Sequence, residues 1–434
     1  MKRLLIGILI LLILLAGIGG VVWWKISELK KNLVRDLGTA LGAKVEVASF
    51  SFDPWHREIR ATGISLINER PGAPWEKGDI SQASIRFRLR KLFAPTMPIQ
   101  VEVSSWSVVL HSTPPGASAS TETPTGDETA PPPTAPETLR VVHLSARQGE
   151  VQIHLANDRQ VTLHNVDFEA LNNNAGTWIT HLKTASIQAG SLETGPGSVQ
   201  LRSDREKITL SQLRLQCDPG MITGEGEISL ADKHAIHLTL KATQVPVTML
   251  VGLQWRMKMS GLVTGDLTFA GDDQTGTARG QLSVSAGKFN VLPWLGKVTA
   301  LVNLPDISNV EVDQATTDYE WKDGTLHLTN LDVRKNDVTR IAGKVDIDPQ
   351  GQVDGQLKLG LPSTVTARWP KLQEKVFSTQ LDNYNWADVH LIGPADHLQE
   401  DLTPRLLAAG AEEGGNLLNQ GAQKAYDVLK DFLK

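Results

Sequence analysis

Eleven histidines, one cysteine and scattered aspartates are the residues of this chain that could carry chemistry. A metal site needs several such groups converging on one point. His234 and His237 flank two residues in a strand-like stretch, so their side chains point to opposite faces and cannot share an ion. Asp346, Asp348 and Asp354 surround a turn in "DIDPQGQVD", but a calcium loop requires more oxygen ligands at closer spacing. That stretch reads instead as a hairpin between strands ending at Ile347 and starting at Val353. Asp272 and Asp273 read as turn residues. Cys217, alone in the chain, excludes an internal disulfide and a multi-cysteine metal centre. It sits in "LRLQCD" as a small strand residue. No phosphate loop, nucleophile elbow or zinc helix is present. The expectation is a protein without catalytic residues, cofactor or metal.

One set of charges has a regular spacing. Arg86, Arg88 and Arg90 alternate with Ile85, Phe87 and Leu89, which puts three guanidiniums on one face of a strand. They form a solvated outer face, or a row that meets anionic lipid headgroups. The 434 residues carry a net charge of −5, and 41% are hydrophobic. No basic stripe dominates, which argues against nucleic acid as a partner.

The elements that must position any site begin with an apolar run. Leu4 to Trp24, "LLIGILILLILLAGIGGVVWW", is uncharged. As a helix it covers about 30 Å, the hydrocarbon thickness of a bilayer. Residues 1–24 are expected to be a single-pass anchor; a cleaved signal peptide would have a shorter apolar core. Flanking charge leaves the orientation open, since basic residues lie on both sides. Residues 25–42 have helical spacing, and alternating strands follow up to residue 111. Ser112 to Thr138 contains seven prolines and no large apolar residue. It cannot bury a core and reads as an extended, disordered linker, or as a long insertion between two neighbouring strands. Residues 139–400 are a long run of short strands, and 401–434 form a helical tail with an amphipathic helix beyond Gly415. Two more continuously apolar stretches, 245–257 and 290–305, read as short helices on the sheet or as a cap.

Many strands open with the same figure: Gly, any residue, apolar, polar, apolar. It recurs at Gly149, Gly197, Gly226, Gly265, Gly280, Gly287, Gly324, Gly343 and Gly355. The glycines read as turn punctuation, and strict alternation gives each strand one apolar face. That face must be buried, either against a second layer or by a ligand. Aromatic residues are only 5% of the chain. The inward positions are mostly Val, Leu and Ile, which suit acyl chains as well as an ordinary core.

The chain also resembles the AsmA-like family of bacterial envelope proteins. The resemblance rests on the N-terminal anchor and helix, then on "LGAKVEVASFSFDPWHREIRATGISLIN" and "ISQASIRFRLRKLFAPTMPIQVEVSSWSVVLH". It continues in "GLVTGDLTFAGDDQTGTARGQLSVSAGKFNVLPWLGKVTALVNLP" and "YEWKDGTLHLTNLDVRKNDVTRIAGKVDIDPQGQVDGQLKLGLP". The Pro-rich insert departs from the family pattern. The resemblance implies an inner-membrane anchor with the body in the periplasm, and a groove similar to bridge-type lipid-transfer proteins. It also implies a part in outer-membrane biogenesis and phospholipid movement, without an active site.

The expected fold is therefore mainly β: a long antiparallel, curled sheet, groove-like or taco-shaped, with an N-terminal transmembrane helix and a C-terminal amphipathic helix. About fifteen strands at ~4.8 Å spacing give on the order of 70 Å. Lipid contacts are expected at Val151, Ile153, Val199, Leu201, Ile228, Leu230, Leu267, Phe269, Leu282, Val284, Leu326, Leu328, Val345, Ile347, Leu357 and Leu359. Arg86, Arg88 and Arg90 are the headgroup candidates. Expected partners are membrane lipids, phospholipid foremost, the inner membrane and other envelope proteins. The rival expectation is an envelope scaffold or assembly factor whose sheet is sealed.

Overall fold

The computed structural model describes Gly38 and residues 43–53, 55–68, 75–87, 97–111, 139–155, 160–173, 176–190, 192–230, 235–251, 256–257, 259–272, 275–289, 310–394 and 397–412. The apolar run 1–24, the Pro-rich segment, residues 290–309 and the tail beyond residue 412 lie outside them. No helix among the described residues is long and apolar enough to cross a membrane. The protein is mainly β and divides into two compact units, Met1–Glu193 and Thr194–Lys434.

The first unit contains β1 (Ala43–Asp53), β2 (Glu58–Asn68), β3 (Trp75–Phe87), β4 (Met97–His111), β5 (Leu139–His154), β6 (Gln160–Asn172), β7 (Trp178–Thr184), β8 (Ser186–Ala189) and β9 (Leu192–Glu193). Strands β1 to β6 pair in chain order, and β7 and β8 both pair with β6. One pairing corrects the all-antiparallel expectation. β4 and β5 run parallel, with Met97 beside Leu139 and His111 beside His154. A parallel pair needs a crossover, because the chain must return the full length of the strand. Fifteen strand residues cover about 50 Å at ~3.3 Å each. The connecting residues 112–138 can span about 80 Å if extended. The Pro-rich segment therefore links two neighbouring strands of one sheet; it does not end the sheet.

The second unit contains β10 (Gly197–Ser203), β11 (Lys207–Cys217), β12 (Gly220–Ser229), β13 (Ile236–Pro246), β14 (Met259–Gly271), β15 (Gly276–Phe289), β16 (Val310–Lys322), β17 (Thr325–Lys335), β18 (Thr339–Ile347), β19 (Gln352–Pro362), β20 (Thr379–Leu381), β21 (Tyr384–Pro394) and β22 (Gln399–Glu400). Its helices are α1 (Val247–Leu250), α2 (Ser363–Thr366), α3 (Pro370–Lys375) and α4 (Leu402–Glu412). Strands β10 to β19 pair antiparallel in chain order, and β21 follows β19. Helix α4 occupies the start of the tail, and the amphipathic helix expected beyond Gly415 lies outside the described residues.

Strict alternation is also corrected. Many strands change parity once, at a two-residue polar step. β2 presents Ile59 and Ala61, then Ile64 and Leu66; β17 presents Leu326 and Leu328, then Leu331 and Val333. β4, β6 and β13 do the same at Val103–Trp106, Leu163–Val166 and Ala242–Val245. The second residue of the step has a left-handed backbone: φ is 60° at Gly63, 52° at Ser105, 51° at Asn165, 52° at Gln244 and 51° at Asn330. Gln148 in β5 (56°) and Ala286 in β15 (49°) occupy the same slot. Register shifts mark several of these steps as β-bulges. A bulge adds one residue, bends the strand and increases its twist. The extra polar residue returns the next apolar side chain to the face its predecessors used.

The glycines play another part than the one expected. Of the nine that open the figure, only Gly324 lies in a turn with positive φ (80°) between strands. Seven lie within strands, and Gly197 begins one. At Gly149, Gly226, Gly265, Gly280 and Gly343 the partner strand comes too close for a Cβ. A Cβ at Gly149 would sit 2.1 Å from the Trp106 ring. At Gly280 it would sit 2.0 Å from the Asp266 carbonyl oxygen, where the Tyr319 hydroxyl donates a 2.9 Å hydrogen bond.

The bulge geometry sets the sign of a substitution. Ala286 is solvent-exposed, so no packing is at stake there. Valine would ordinarily favour a strand, but at φ 49° it should lower stability by about 1–2 kcal/mol. Ala286→Gly should leave stability unchanged or raise it. Urea unfolding midpoints of the two variants check the contrast.

Candidate functional site

The register aligns the apolar residues into rows that cross the second unit. One row runs Leu201–Leu210–Gly226–Leu238–Phe269–Ala278–Trp321–Leu326–Ile347–Val353. A second begins Val199–Leu213–Gly224–Leu240–Leu267, and beyond β15 continues Tyr319–Leu328–Val345–Gly355–Leu391. Leu282 faces Gly265 and Thr317, and Val284 faces Val263 and Ala315. The expected contact residues of this unit thus share one face, with Ile228 set between Ile208 and Ile236. Leu230 lies just beyond the end of β12. Val151 and Ile153 belong to the first unit, where Val151 continues the row Val45–Leu66–Gly78–Val108–Val151–Leu163–Ile187.

Burial separates these residues into two groups. Leu357 is 5% exposed and Leu359 1%; both sit in the main core. There Leu372, Val376 and Phe377, together with Leu402, Leu406 and Ala409 of α4, cover β19 and β21. Val345 and Val284 pack against the edge of that core. Val199, Leu201, Leu267, Phe269 and Leu282 remain only half-buried, and Ile228 is 38% exposed. The apolar face is therefore closed at β19 and β21 and partly open over β10–β15, except where Val245 and Val263 are buried beside α1.

The sheet edge at the closed end is also blocked. β20 and β22 pair with the two ends of β21. Between them the His390 N–H donates to Asp401 at 2.8 Å, and Arg405 donates to the Asp388 carbonyl at 2.7 Å. Backbone groups that could template another strand are thus occupied.

The opposite face is polar and carries the histidines and acids. His327 meets Asp346 at 2.6 Å and His390 meets Asp354 at 2.9 Å, both as cross-strand pairs. Asp348 accepts the Gln350 and Gln352 N–H groups, closing the expected hairpin. Asp272 accepts the Thr275 N–H in a turn, as read from the sequence. Among the described residues no group of His, Cys, Asp or Glu is arranged to hold a metal ion. Cys217 is buried, and burial pushes its thiol pKa up. Two clefts, of about 490 and 370 Å³, lie mainly among polar-face residues such as His143, Arg147 and Glu169, or Asp266, Arg279 and Glu320.

In the first unit Arg86 is committed to acidic partners. It pairs with Glu102 at 3.2 Å and with Glu58 at 3.5 Å, and Arg60 holds Glu58 at 2.9 Å. Arg88 and Arg90 lie outside the described residues. Burial disfavours ionised Glu58, but the Arg60 hydrogen bond outweighs it and holds the carboxyl below its usual 4.5.

The sequence reading missed half of the rows. Ile208, Leu210, Leu213, Leu215, Leu238 and Leu240 lack a leading glycine, and the bulge in β11 breaks the alternation of the first four. Their signal is the apolar-x-apolar-x-x-apolar-x-apolar pattern in "ITLSQLRL". It also missed α2 and α3, although Pro362 and Pro370 mark both starts and Leu372/Val376 have helical spacing.

Residues 213–368 match the family of the TamB C-terminal domain. The matched part runs from within β11 to just beyond α2, and so contains most of the half-open face and β19, but not β21 or the helices α3 and α4 that cover the closed end. It is 156 of 434 residues, about a third of the chain. That family is of the AsmA-like, bridge-like lipid-transfer class, so the match supports the class without singling out AsmA itself. No curated protein matches the chain.

Glu58 gives this geometry a pH test. A carboxyl with a depressed folded pKa stabilises the fold above its unfolded pKa, and that contribution is lost as pH falls through the folded value. Acid unfolding of the wild type should therefore gain steepness below the usual value of 4.5. Glu58→Gln should flatten that part of the stability–pH curve, as measured by urea midpoints at a series of pH values.

Proposed function

We propose that this chain is a bacterial-envelope protein that holds phospholipid acyl chains against the half-open apolar face of β10–β15. It would act without an active site and assist phospholipid transport and outer-membrane biogenesis. The observation that carries the reading is the register: leucines, valines and glycines of six successive strands share one face, and it stays partly open where no core closes it. Each methylene covered there contributes about 0.8 kcal/mol. Lipid headgroups would remain in water at the margin of the face. The match to the TamB C-terminal domain falls on the same strands and supports an envelope role. The apolar run 4–24 and the AsmA-like resemblance support an inner-membrane anchor with the body in the periplasm.

The reach of the face limits the mechanism. Eleven consecutive strands, β10–β19 and β21, span about 50 Å at ~4.8 Å spacing. The closed end removes the last of these from use. The chain would then serve as one segment of a longer route, or as a local lipid carrier working with other envelope proteins. A sealed scaffold is the second reading, and the covered core beneath α4 favours it for the C-terminal strands alone.

The two groups of residues separate the readings. Full-length protein purified in mild detergent should carry phospholipid detectable by native mass spectrometry. The triple variant Leu240→Asp, Leu267→Asp, Leu282→Asp should lose that lipid while keeping a cooperative unfolding transition. Leu359→Asp should instead unfold the second unit, and even Leu359→Ala should cost about 2–5 kcal/mol. Lipid-free wild-type protein, or a folded triple variant that keeps its lipid, would move the assignment to the scaffold.

A further inference from the structure

We propose that the turn between β1 and β2 is a bilayer contact, with the Trp55 indole entering the interfacial region and the Arg57 guanidinium pairing with lipid phosphate. This contact stands apart from the apolar face and does not depend on it. Trp55 is 90% exposed, whereas its strand neighbour Ile59 is 2% exposed. The turn that presents it is rigid. Asp53 Oδ1 accepts the backbone N–H groups of Trp55 (3.0 Å) and His56 (3.1 Å). Asp53 Oδ2 meets His56 Nδ1 at 2.6 Å, and Arg57 closes the turn at φ 56°. The Arg57 carbonyl also accepts the Phe87 N–H at 3.3 Å, tying the turn to β3. A tip fixed this firmly holds its indole in water although the indole does nothing for the core.

Two features select a bilayer as the occupant. First, the indole stands alone: among the described residues no other large apolar side chain of the turn is exposed. A protein-binding hot spot would sit inside a surrounding patch that excludes water, whereas a lone indole suits the headgroup boundary, which accepts an apolar body and a polar N–H together. Second, the charges are sorted. Asp53 is held by His56, and Glu58 by Arg60 and Arg86, while Arg57 makes no ion pair among the described residues. The free cation sits two residues from the free indole. The turn as a whole carries little net charge, so the indole leads and lipid charge adds to it.

The test uses the full chain with Cys217→Ser and Trp55→Cys, labelled at position 55 with a bimane fluorophore. It is reconstituted in vesicles of phosphatidylethanolamine and phosphatidylglycerol. Headgroup-nitroxide lipid is placed either in the host vesicles or in protein-free vesicles added afterwards. The expected result is a blue shift and loss of emission in one of these arms, which also identifies the bilayer touched. Adding Arg57→Gln should weaken the quenching, more so with phosphatidylglycerol present. Unchanged emission in both arms would overturn the proposal. So would a label that lipid leaves unchanged but a protein fraction of the envelope protects.

Discussion

The structure depends on keeping one face apolar while its strands bend. A long sheet with an apolar and a polar side holds that distinction through the two-residue period of the strand. A single inserted residue would invert every side chain beyond it. Here the insertions are matched by the sequence. The apolar pattern itself skips a residue at each bulge, at "VEVSSWSV", "VTLHNVDF" and "LHLTNLDV" alike. A left-handed residue such as Ser105, Asn165 or Asn330 takes up the slack. The strand bends and the face stays in phase. Side chains as far apart in the chain as Leu201 and Ile347 consequently lie in one row.

The same face has two fates within the second unit. Over β19 and β21 it becomes an ordinary core, closed by Leu372, Phe377, Leu402 and Leu406. Over β10–β15 the cover among the described residues is confined to α1, beside which Val245, Val247 and Val263 are buried, and the leucines remain half-buried. Composition does not distinguish the two regions, since both are built of Leu, Val and Ile opposite Gly. What differs is whether the chain following a strand supplies a helix to lie on it. The segment after Pro362 does so, with α2 and α3, and the segment after Glu400 does so with α4. The tight turns joining β10–β11 and β11–β12 leave no chain to spare for a cover.

In the first unit, a parallel pair sits where chain economy would place a hairpin. β4 and β5 share the longest register of that sheet, with a valine, leucine or isoleucine of one often facing such a residue of the other. A proline-rich composition suits such a return, because proline disfavours strand pairing. The sequence left this segment either a linker or an insertion between neighbouring strands, and the β4–β5 register selects the insertion.

Much of the fold could be read from residues alone. The strands β1, β2 and β3 were visible from alternation, and the Asp348 hairpin from its turn chemistry. The existence of an apolar face followed as well, because alternation over ten or more residues leaves few alternatives. Three things were decided only in three dimensions. Gly149 and Gly280 open space for Trp106 and Tyr319, and a sequence does not say which residue stands across the ladder. The direction of β5 relative to β4 depends on which edge the returning chain finds. Whether Leu267 meets solvent while Leu359 is sealed depends on α4, a helix that begins some forty residues after β19 ends. Local pattern fixes which side chains are apolar and which way they point. Only long-range packing determines what covers them.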